Sequence, residues 1–279
     1  MLTVSIVLYN TPVLMLDKAL KCLLEVQEIS KIYLIDNSPM PREKILDVRV
    51  DCDNLPPKIS YFFANENLGY SKGHNILLNS PEKCGKYHLV MNADIFFESG
   101  TIEQIISFMN SSKDIGLLMP KILNPDKTIQ RQAKLLPTPT NLFARRFLPK
   151  FISRRLDKKF ELHHYNYQHT QEIPYLNGSF MFFRSSELSK IGGFEEKIFM
   201  YGEDLDISRR FFMQSKSVVY PDAQVIHEHQ KASFKSLKPL IFHIKGVVAY
   251  FNKWGWLFDS TRNQINKRVL LEIREAQNG

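Results

Sequence analysis

No uncharged apolar run in this chain of 279 residues reaches the roughly 18 positions needed to cross a bilayer, which argues against an integral membrane protein. Cysteine is scarce. Cys22, Cys52 and Cys84 are widely spaced and odd in number, and they match neither a disulfide framework nor a zinc site. The opening stretch Met1-Leu2-Thr3-Val4-Ser5-Ile6-Val7 has neither a basic leader nor a small-residue cleavage site, so no secretory signal is read there. These absences predict a reducing, cytoplasmic setting. No internal repeat or low-complexity tract is present. With 44% hydrophobic and 24% charged residues, general disorder, a collagen-like repeat and a coiled coil are excluded. The length suits one large domain, or one domain with an extension.

Acidic residues are nearly missing from one segment. Between Lys127 and Lys159 the only acid is Asp157, against ten Lys and Arg; that segment carries +9 of a total +8 and leaves the rest of the chain at −1. Phe143, Phe147, Leu148 and Phe151 are interleaved with the charges, and Pro137, Pro139 and Pro149 break regular structure. Such a strip could face anionic lipid, nucleic acid or a polyphosphate substrate, or be a solvated loop with aromatic anchors.

Short β-branched apolar runs alternate with helical spacing. Val4–Tyr9, Lys31–Ile35, Ile59–Phe63 and Tyr87–Met91 read as buried strands, and residues 13–27 as a helix between the first two. Asn65–Gly73 reads as a polar loop opening a helix over Asn75–Leu78. The rhythm of about thirty residues predicts an α/β fold, a mixed and mostly parallel sheet flanked by helices. Open sheets of this kind bind ligands at the carboxyl ends of their strands, where Tyr9-Asn10, Asp36-Asn37 and Asn92-Ala93-Asp94 would converge. Further on, Tyr175–Phe183 is strand-like but interrupted at Asn177-Gly178-Ser179. Glu203-Asp204-Leu205-Asp206 opens a helix through Gln214, with Asp206 and Arg210 as an i,i+4 pair. Leu237–Ala276 reads as an amphipathic helical tail with an aromatic middle of Tyr250, Phe251, Trp254, Trp256 and Phe258.

Four clusters carry candidate chemistry. Asp94 directly follows a buried strand, where a carboxylate either holds a divalent cation shared with diphosphate oxygens or caps the next turn. Glu203, Asp204 and Asp206 crowd three acids into four positions; such acids raise one another's pKa, as suits a proton acceptor, or form a dipole-stabilised first turn. His227-Glu228-His229 ends a strand, and a histidine there can complete a metal site with a remote aspartate. The Asn67–Asn75 loop has glycines that allow close approach of a ligand to the backbone, or simply a tight turn.

In this order the motifs resemble family 2 glycosyltransferases of the GT-A fold, especially the rhamnosyltransferase-like members of bacterial polysaccharide synthesis. The resemblance rests on Val4–Asn10, Ile35-Asp36-Asn37-Ser38, Asn67-x-Gly69-x-x-x-Gly73-x-Asn75, Met91-Asn92-Ala93-Asp94, Asn177–Met181 and Gly192–Asp206, closed by His227 and Ser233. It runs from about residue 3 to 235 and is most specific over Gly192–Asp206. It implies a GT-A domain over residues 1–235, with a basic insertion at about 127–170, and a helical C-terminal extension over 236–279.

The resemblance also implies an inverting transfer from a nucleotide-sugar donor, with Mg2+ or Mn2+ as cofactor. Asp36 would bond a pyrimidine base, with Tyr9 and Asn10 beside the nucleoside. Asn67, Gly69, Gly73 and Asn75 would line the donor site, as would Asn92 and Gly178. Asp94 and His227 would hold the metal, Asn92 standing where an acid is often found. Asp204 would be the catalytic base, and Glu203 would contact the acceptor. The implied product is a sugar, L-rhamnose from dTDP-rhamnose, joined to a glycan or polyprenyl-diphosphate-linked acceptor in O-antigen or capsule-type synthesis. The basic strip and aromatic tail would then rest on the anionic inner face of the cytoplasmic membrane. Galactofuranosyl or hexosyl transfer from a UDP-sugar and a catalytically silent sugar-nucleotide-binding module are the competing readings. A nucleic-acid partner is not expected, because the charge sits in one segment without a reading motif.

Overall fold

The computed structural model describes residues 1–50, 55–142, 158–228 and 237–278. Its centre is a nine-stranded mixed sheet. The strands are β1 (Leu2–Leu8), β2 (Ile29–Asp36), β3 (Ile59–Phe63), β4 (Tyr87–Met91), β5 (Ile95–Phe96), β6 (Ile115–Leu123), β7 (Gln171–Glu172), β8 (Phe180–Arg184) and β9 (Lys216–His227). Their order across the sheet is β7-β9-β6-β8-β4-β1-β2-β3, with β5 laid against the end of β9. Helices α1 (Val13–Glu25), α2 (Gly69–Leu78), α3 (Thr101–Ser111), α4 (Ser185–Ile191) and α5 (Glu203–Gln214) connect the strands, and α6 (Leu237–Trp254) and α7 (Ser260–Asn278) follow. The predicted α/β architecture is thus present, and each of the four apolar runs forms a strand.

β1 is buried along both faces because its neighbours pair in parallel and helices cover them, the reason its sequence is a continuous apolar run rather than an alternating one. β8 lies antiparallel between β4 and β6, and β9 is parallel to β6, so β4, β6 and β9 all run the same way. Consequently β1, β2, β4 and β9 end, and β8 begins, on a single rim.

Two elements differ from the sequence reading. α2 starts at Gly69, six residues earlier than expected. Gly69 takes φ +76, its N–H donates to Asn67 Oδ1 (3.1 Å), and the next N–H, of Tyr70, donates to Phe199 O (2.9 Å), a distant acceptor that lets the helix begin inside the polar stretch. The tail is two helices, broken at Gly255 (φ +98) and restarted where Asp259 Oδ1 accepts the Arg262 N–H at 2.9 Å, as an N-cap residue does. Its aromatic middle largely faces inward. Tyr250 and Phe251 are fully buried, Trp254 donates to Asp206 Oδ1 (2.7 Å), and only Leu257 and Phe258 stand mostly in solvent. Among the described residues no helix is long and apolar enough to cross a membrane. Much of the basic strip, including Arg145, Arg146, Lys150 and the interleaved Phe143, Phe147 and Phe151, lies outside the described residues, as do Cys52, His229 and Ser233.

A polar thread runs through the core beneath β1. Ser5 Oγ lies 2.7 Å from His74 Nδ1 and 2.9 Å from His88 Nε2, and His88 Nδ1 lies 2.9 Å from Thr3 Oγ1. Burial keeps both imidazoles neutral, His88 pushed down to about 3 and His74 well below the usual range. At these two residues the unfolded chain binds more protons than the fold once pH is below the ordinary histidine value of about 6.5 and above the folded values, so their contribution to stability falls as pH drops through that point. His88→Gln should lower the slope of unfolding free energy against pH between 6 and 4.5 by up to about 1.4 kcal/mol per pH unit, the value for one proton. Urea titrations at several pH values measure this slope.

Candidate active site

A cavity of about 540 Å³ opens at the shared rim, within the usual size of a small-ligand site. Tyr9 and Asn10 line it from the end of β1, Asn92 and Asp94 from β4, Gly178 from the turn before β8, and Glu203 and Asp204 from the start of α5. His227 completes it from β9. Asp94 and Asp204, the expected metal ligand and the expected base, thus line one space.

Strand pairing brings the metal candidates together. After β4 the chain turns back as β5 and pairs antiparallel with the last residues of β9, His227 opposite Ile95, and the Glu228 N–H donates to Asp94 O at 2.9 Å. Asp94 Oδ1 consequently stands 3.3 Å from His227 Nε2. Gln130 fixes the ring from behind: its Oε1 lies 3.0 Å from His227 Nδ1 and its Nε2 donates to the His227 carbonyl at 3.0 Å. Neighbouring ligands of an octahedral cation with bonds of about 2.1 Å stand about 3 Å apart, so this carboxylate and imidazole suit one Mg2+ or Mn2+. Among the described residues no group of three or more His, Cys, Asp or Glu forms a metal cage. A two-ligand set leaves the remaining positions to diphosphate oxygens and water, as Mg2+ commonly does. The donor set fits.

Asp204 is held by hydrogen bonds. Its Oδ2 accepts from Gly178 N–H (3.1 Å) and Tyr175 Oη–H (3.4 Å), and its Oδ1 accepts from Leu205 N–H (2.8 Å). Burial raises its pKa, and these donors together with nearby Lys134 oppose the rise. Glu203 is buried beside it. Its pKa is raised by burial first and by the Asp204 charge second, and its Oε2 has no hydrogen-bond partner among the described residues. Two carboxyls in this arrangement titrate as a pair. The donors that converge on Asp204 favour its charged form, and that charge in turn favours the protonated form of Glu203.

The peptide of Gly178 is gripped at both ends, since its carbonyl also accepts from Tyr70 Oη–H at 2.6 Å. A Cβ at this position would come within 3.2 Å of the Asp204 Cβ. The remaining wall comes from α6, where His243 and Val247 line the cavity. That helix approaches so closely that a Cβ on Gly246 would meet the Tyr201 carbonyl at 1.9 Å.

Five expected donor-site residues stand away from the cavity lining. Asp36 is fully buried: its Oδ1 accepts from Ser38 N–H (3.0 Å), its Oδ2 from Tyr61 Oη–H (2.9 Å), and Arg42 Nε lies 3.7 Å away. It steadies Ser38, whose Oγ accepts the Asn10 N–H at 2.9 Å. Asn67 and Gly69 shape the start of α2, and a Cβ on Gly69 would meet the Phe199 carbonyl at 2.4 Å. Gly73 packs under Val7. Asn75 exchanges hydrogen bonds with the Phe194 backbone, both at 2.9 Å. These residues support the rim from behind. Conversely, Tyr70, Tyr175, Gln130 and His243 border or brace the site without having been singled out from the sequence. The two tyrosines lie within or beside quoted motifs, whereas Gln130 was hidden in a segment read only for its charge.

The sheet order is that of the GT-A fold. The fold matches that of GalNAc-T7, solved with UDP, GalNAc and Mn2+, with a TM-score of 0.65 over 91% of this chain and 48% of that one, at 15% identity. Residues 15–240 match the model of the family described as "Glycosyltransferase like family 2", and the chain belongs to that family. It is 25% identical over 181 residues to N-acetylglucosaminyl-diphospho-decaprenol L-rhamnosyltransferase of Mycobacterium tuberculosis, covering 61% of this chain and 59% of that protein. It is 33% identical over 81 residues to rhamnosyltransferase WbbL of Escherichia coli K12, covering 28% of this chain and 30% of that protein. The chain therefore aligns with only about three fifths of the length of the mycobacterial relative.

The paired acids make a stability prediction. A glutamate whose folded pKa is raised has its full contribution below the unfolded value and loses it as pH rises toward the folded one. Glu203→Gln removes that loss. At pH 7.5 the variant should melt about 2–4 °C above the parent, as a gain of about 1 kcal/mol would give in a domain of this size, and at pH 4 the difference should vanish. Calorimetry at the two pH values checks it.

Proposed function

We propose that this chain catalyses the inverting transfer of a sugar, L-rhamnose from dTDP-rhamnose, to a hydroxyl of a polyprenyl-diphosphate-linked glycan at an anionic membrane surface. The observation that carries the reading is the shared cavity, with a carboxylate–imidazole pair at one part of its wall and a hydrogen-bonded, buried aspartate at another. The names of the mycobacterial and Escherichia coli relatives support the choice of sugar, and that of the mycobacterial protein supports the lipid-linked acceptor.

Asp204 accepts the proton of the acceptor hydroxyl as that oxygen attacks the anomeric carbon. The new carbon–oxygen bond forms as the bond to the diphosphate breaks, and the electron pair leaves with the diphosphate. A single displacement inverts the anomeric centre and needs no protein nucleophile. Burial favours the step, because a carboxylate of raised proton affinity is a stronger base, while the Gly178 and Leu205 N–H groups keep it ionised and aimed. Glu203, retaining its proton, can donate a hydrogen bond to the acceptor. Tyr9 and Asn10 border the nucleoside end, with Asp36 steadying them through Ser38. A divalent cation held by Asp94 and His227 would supply Lewis-acid stabilisation of the leaving oxygens.

Asp204→Asn should cut turnover by about 10²–10⁴-fold, the usual contribution of a general base, while the thermal shift caused by donor nucleotide persists. Turnover near that of the parent would remove Asp204 from this role. Asp94→Asn should abolish the part of the donor-induced shift that depends on added Mn2+. In a panel of dTDP-rhamnose, UDP-galactofuranose and UDP-hexoses scored by product mass, dTDP-rhamnose should give the product; a UDP-sugar giving it instead would reassign the donor.

A further inference from the structure

A second, larger cavity of about 1480 Å³ lies outside the catalytic one. Helix α7 forms one side, and residues 135–141 and 158–164 form the other. Its floor is apolar, with Leu135, Leu136 and Phe160 almost fully buried and Leu270 and Leu271 beside them. Its polar lining is positive. Lys158, Lys159, Lys267 and Arg274 face it, and among the described residues no acid lines it.

These four cations have no ion-pair partner among the described residues. The contrast lies on the same helix: Arg268, next to Lys267, pairs with Glu172 (3.0 Å) and Glu272 (3.5 Å). His163 at the edge is paired with Glu161 at 3.1 Å, and His164 has a lowered pKa from burial and from the nearby charges of Arg274 and Arg131. A cationic groove over a leucine and phenylalanine floor complements an amphiphilic anion. A purely polar anion would leave the floor wet, and a neutral lipid would leave the cations unmatched. The chain's own segment between the groove's two sides, residues 143–157, carries five Lys and Arg against one acid, so its charge does not complement that of the groove.

The groove adjoins the catalytic cavity. Asn141 lines one and Leu142 the other. Lys134 spans the boundary, its Nζ lying 6.0 Å from the ring of Phe160 on the groove floor and 5.6 Å from that of Tyr175 in the catalytic wall. We infer that the groove binds a lipid-borne diphosphate, with its phosphates against Lys158, Lys159, Lys267 and Arg274 and its first apolar units along Phe160 and Leu270. A sugar on that diphosphate then reaches Asp204 past Lys134. The inference rests on the proposed transfer to a lipid-linked acceptor and assigns that acceptor a site.

The test uses the full chain without donor and with EDTA, so that no cation recruits a diphosphate to Asp94 and His227. Farnesyl diphosphate, inorganic pyrophosphate and phosphatidylglycerol vesicles are titrated by calorimetry against the parent and the variant Lys267→Gln/Arg274→Gln, both exposed positions on α7, with unchanged melting confirming its fold. Farnesyl diphosphate should bind the parent at least about tenfold more tightly than pyrophosphate, and the variant should lose about tenfold, as expected when charge-assisted phosphate contacts are removed. Equal binding of pyrophosphate, binding of vesicles but not farnesyl diphosphate, or an unchanged affinity in the variant would each overturn it. Should farnesyl diphosphate fail to bind while Asp204→Asn still abolishes transfer, the groove assignment falls alone. Should it bind as expected while Asp204→Asn keeps its turnover, the catalytic reading falls and the lipid site stands.

Discussion

The peptide unit of Gly178 joins the parts of this active site that come from different regions of the chain. Its N–H holds the Asp204 carboxylate, its carbonyl takes the Tyr70 hydroxyl, and the carbonyl of the next residue, Ser179, accepts the Asn92 N–H at 2.9 Å. One turn between two strands thereby connects α5, α2 and the end of β4. A side chain here would press on Asp204, so the residue is glycine because of close approach; its φ is not among the positive ones. This backbone donor, with the Leu205 N–H and the Tyr175 hydroxyl, offsets part of the cost of burying the carboxylate.

A second set of buried charges fixes the tail. Arg209 is almost wholly enclosed, forks onto Asp259 with bonds of 2.7 and 2.9 Å, donates to Tyr250 Oη at 3.1 Å, and lies 4.2 Å from the Trp254 ring. Asp206, also fully buried, accepts from Arg210, Lys253 and Trp254. Buried ion pairs recover little net stability because desolvation offsets their attraction, but leaving one partner alone is costly, and that penalty selects a single docking position for α6. The aromatic residues that gave the tail a membrane-like composition are largely the packing of this joint.

Local signals made much of the site legible. Four apolar runs of strand length, three of them ending in polar residues, located the rim, and the Gly-Glu-Asp start of α5 was set by its acids and the apolar spacing that follows. What stayed hidden depended on distant partners. The pairing of Asp94 with His227 comes from the family resemblance alone, since nothing near Asp94 announces that β5 will fold back onto β9 and bring that ring to 3.3 Å. The early start of α2 depends on the Phe199 carbonyl, which no local pattern around Gly69 encodes. The resemblance assigns Asp36 the pyrimidine base; that its oxygens accept from Ser38 and Tyr61 depends on partners no local pattern shows. Composition likewise concealed Gln130, an uncharged brace within a segment notable only for its lysines and arginines.

Helix α6 meets the backbone of Tyr201 at Gly246 with no room for a methyl group, just before Glu203 and Asp204. Its inner residues His243 and Val247 form one side of the pocket, although the family match ends at residue 240. The pocket wall thus draws on residues past the matched region, and a change confined to this inner helix face would reshape the cavity while leaving Asp94, Asp204 and His227 where they stand.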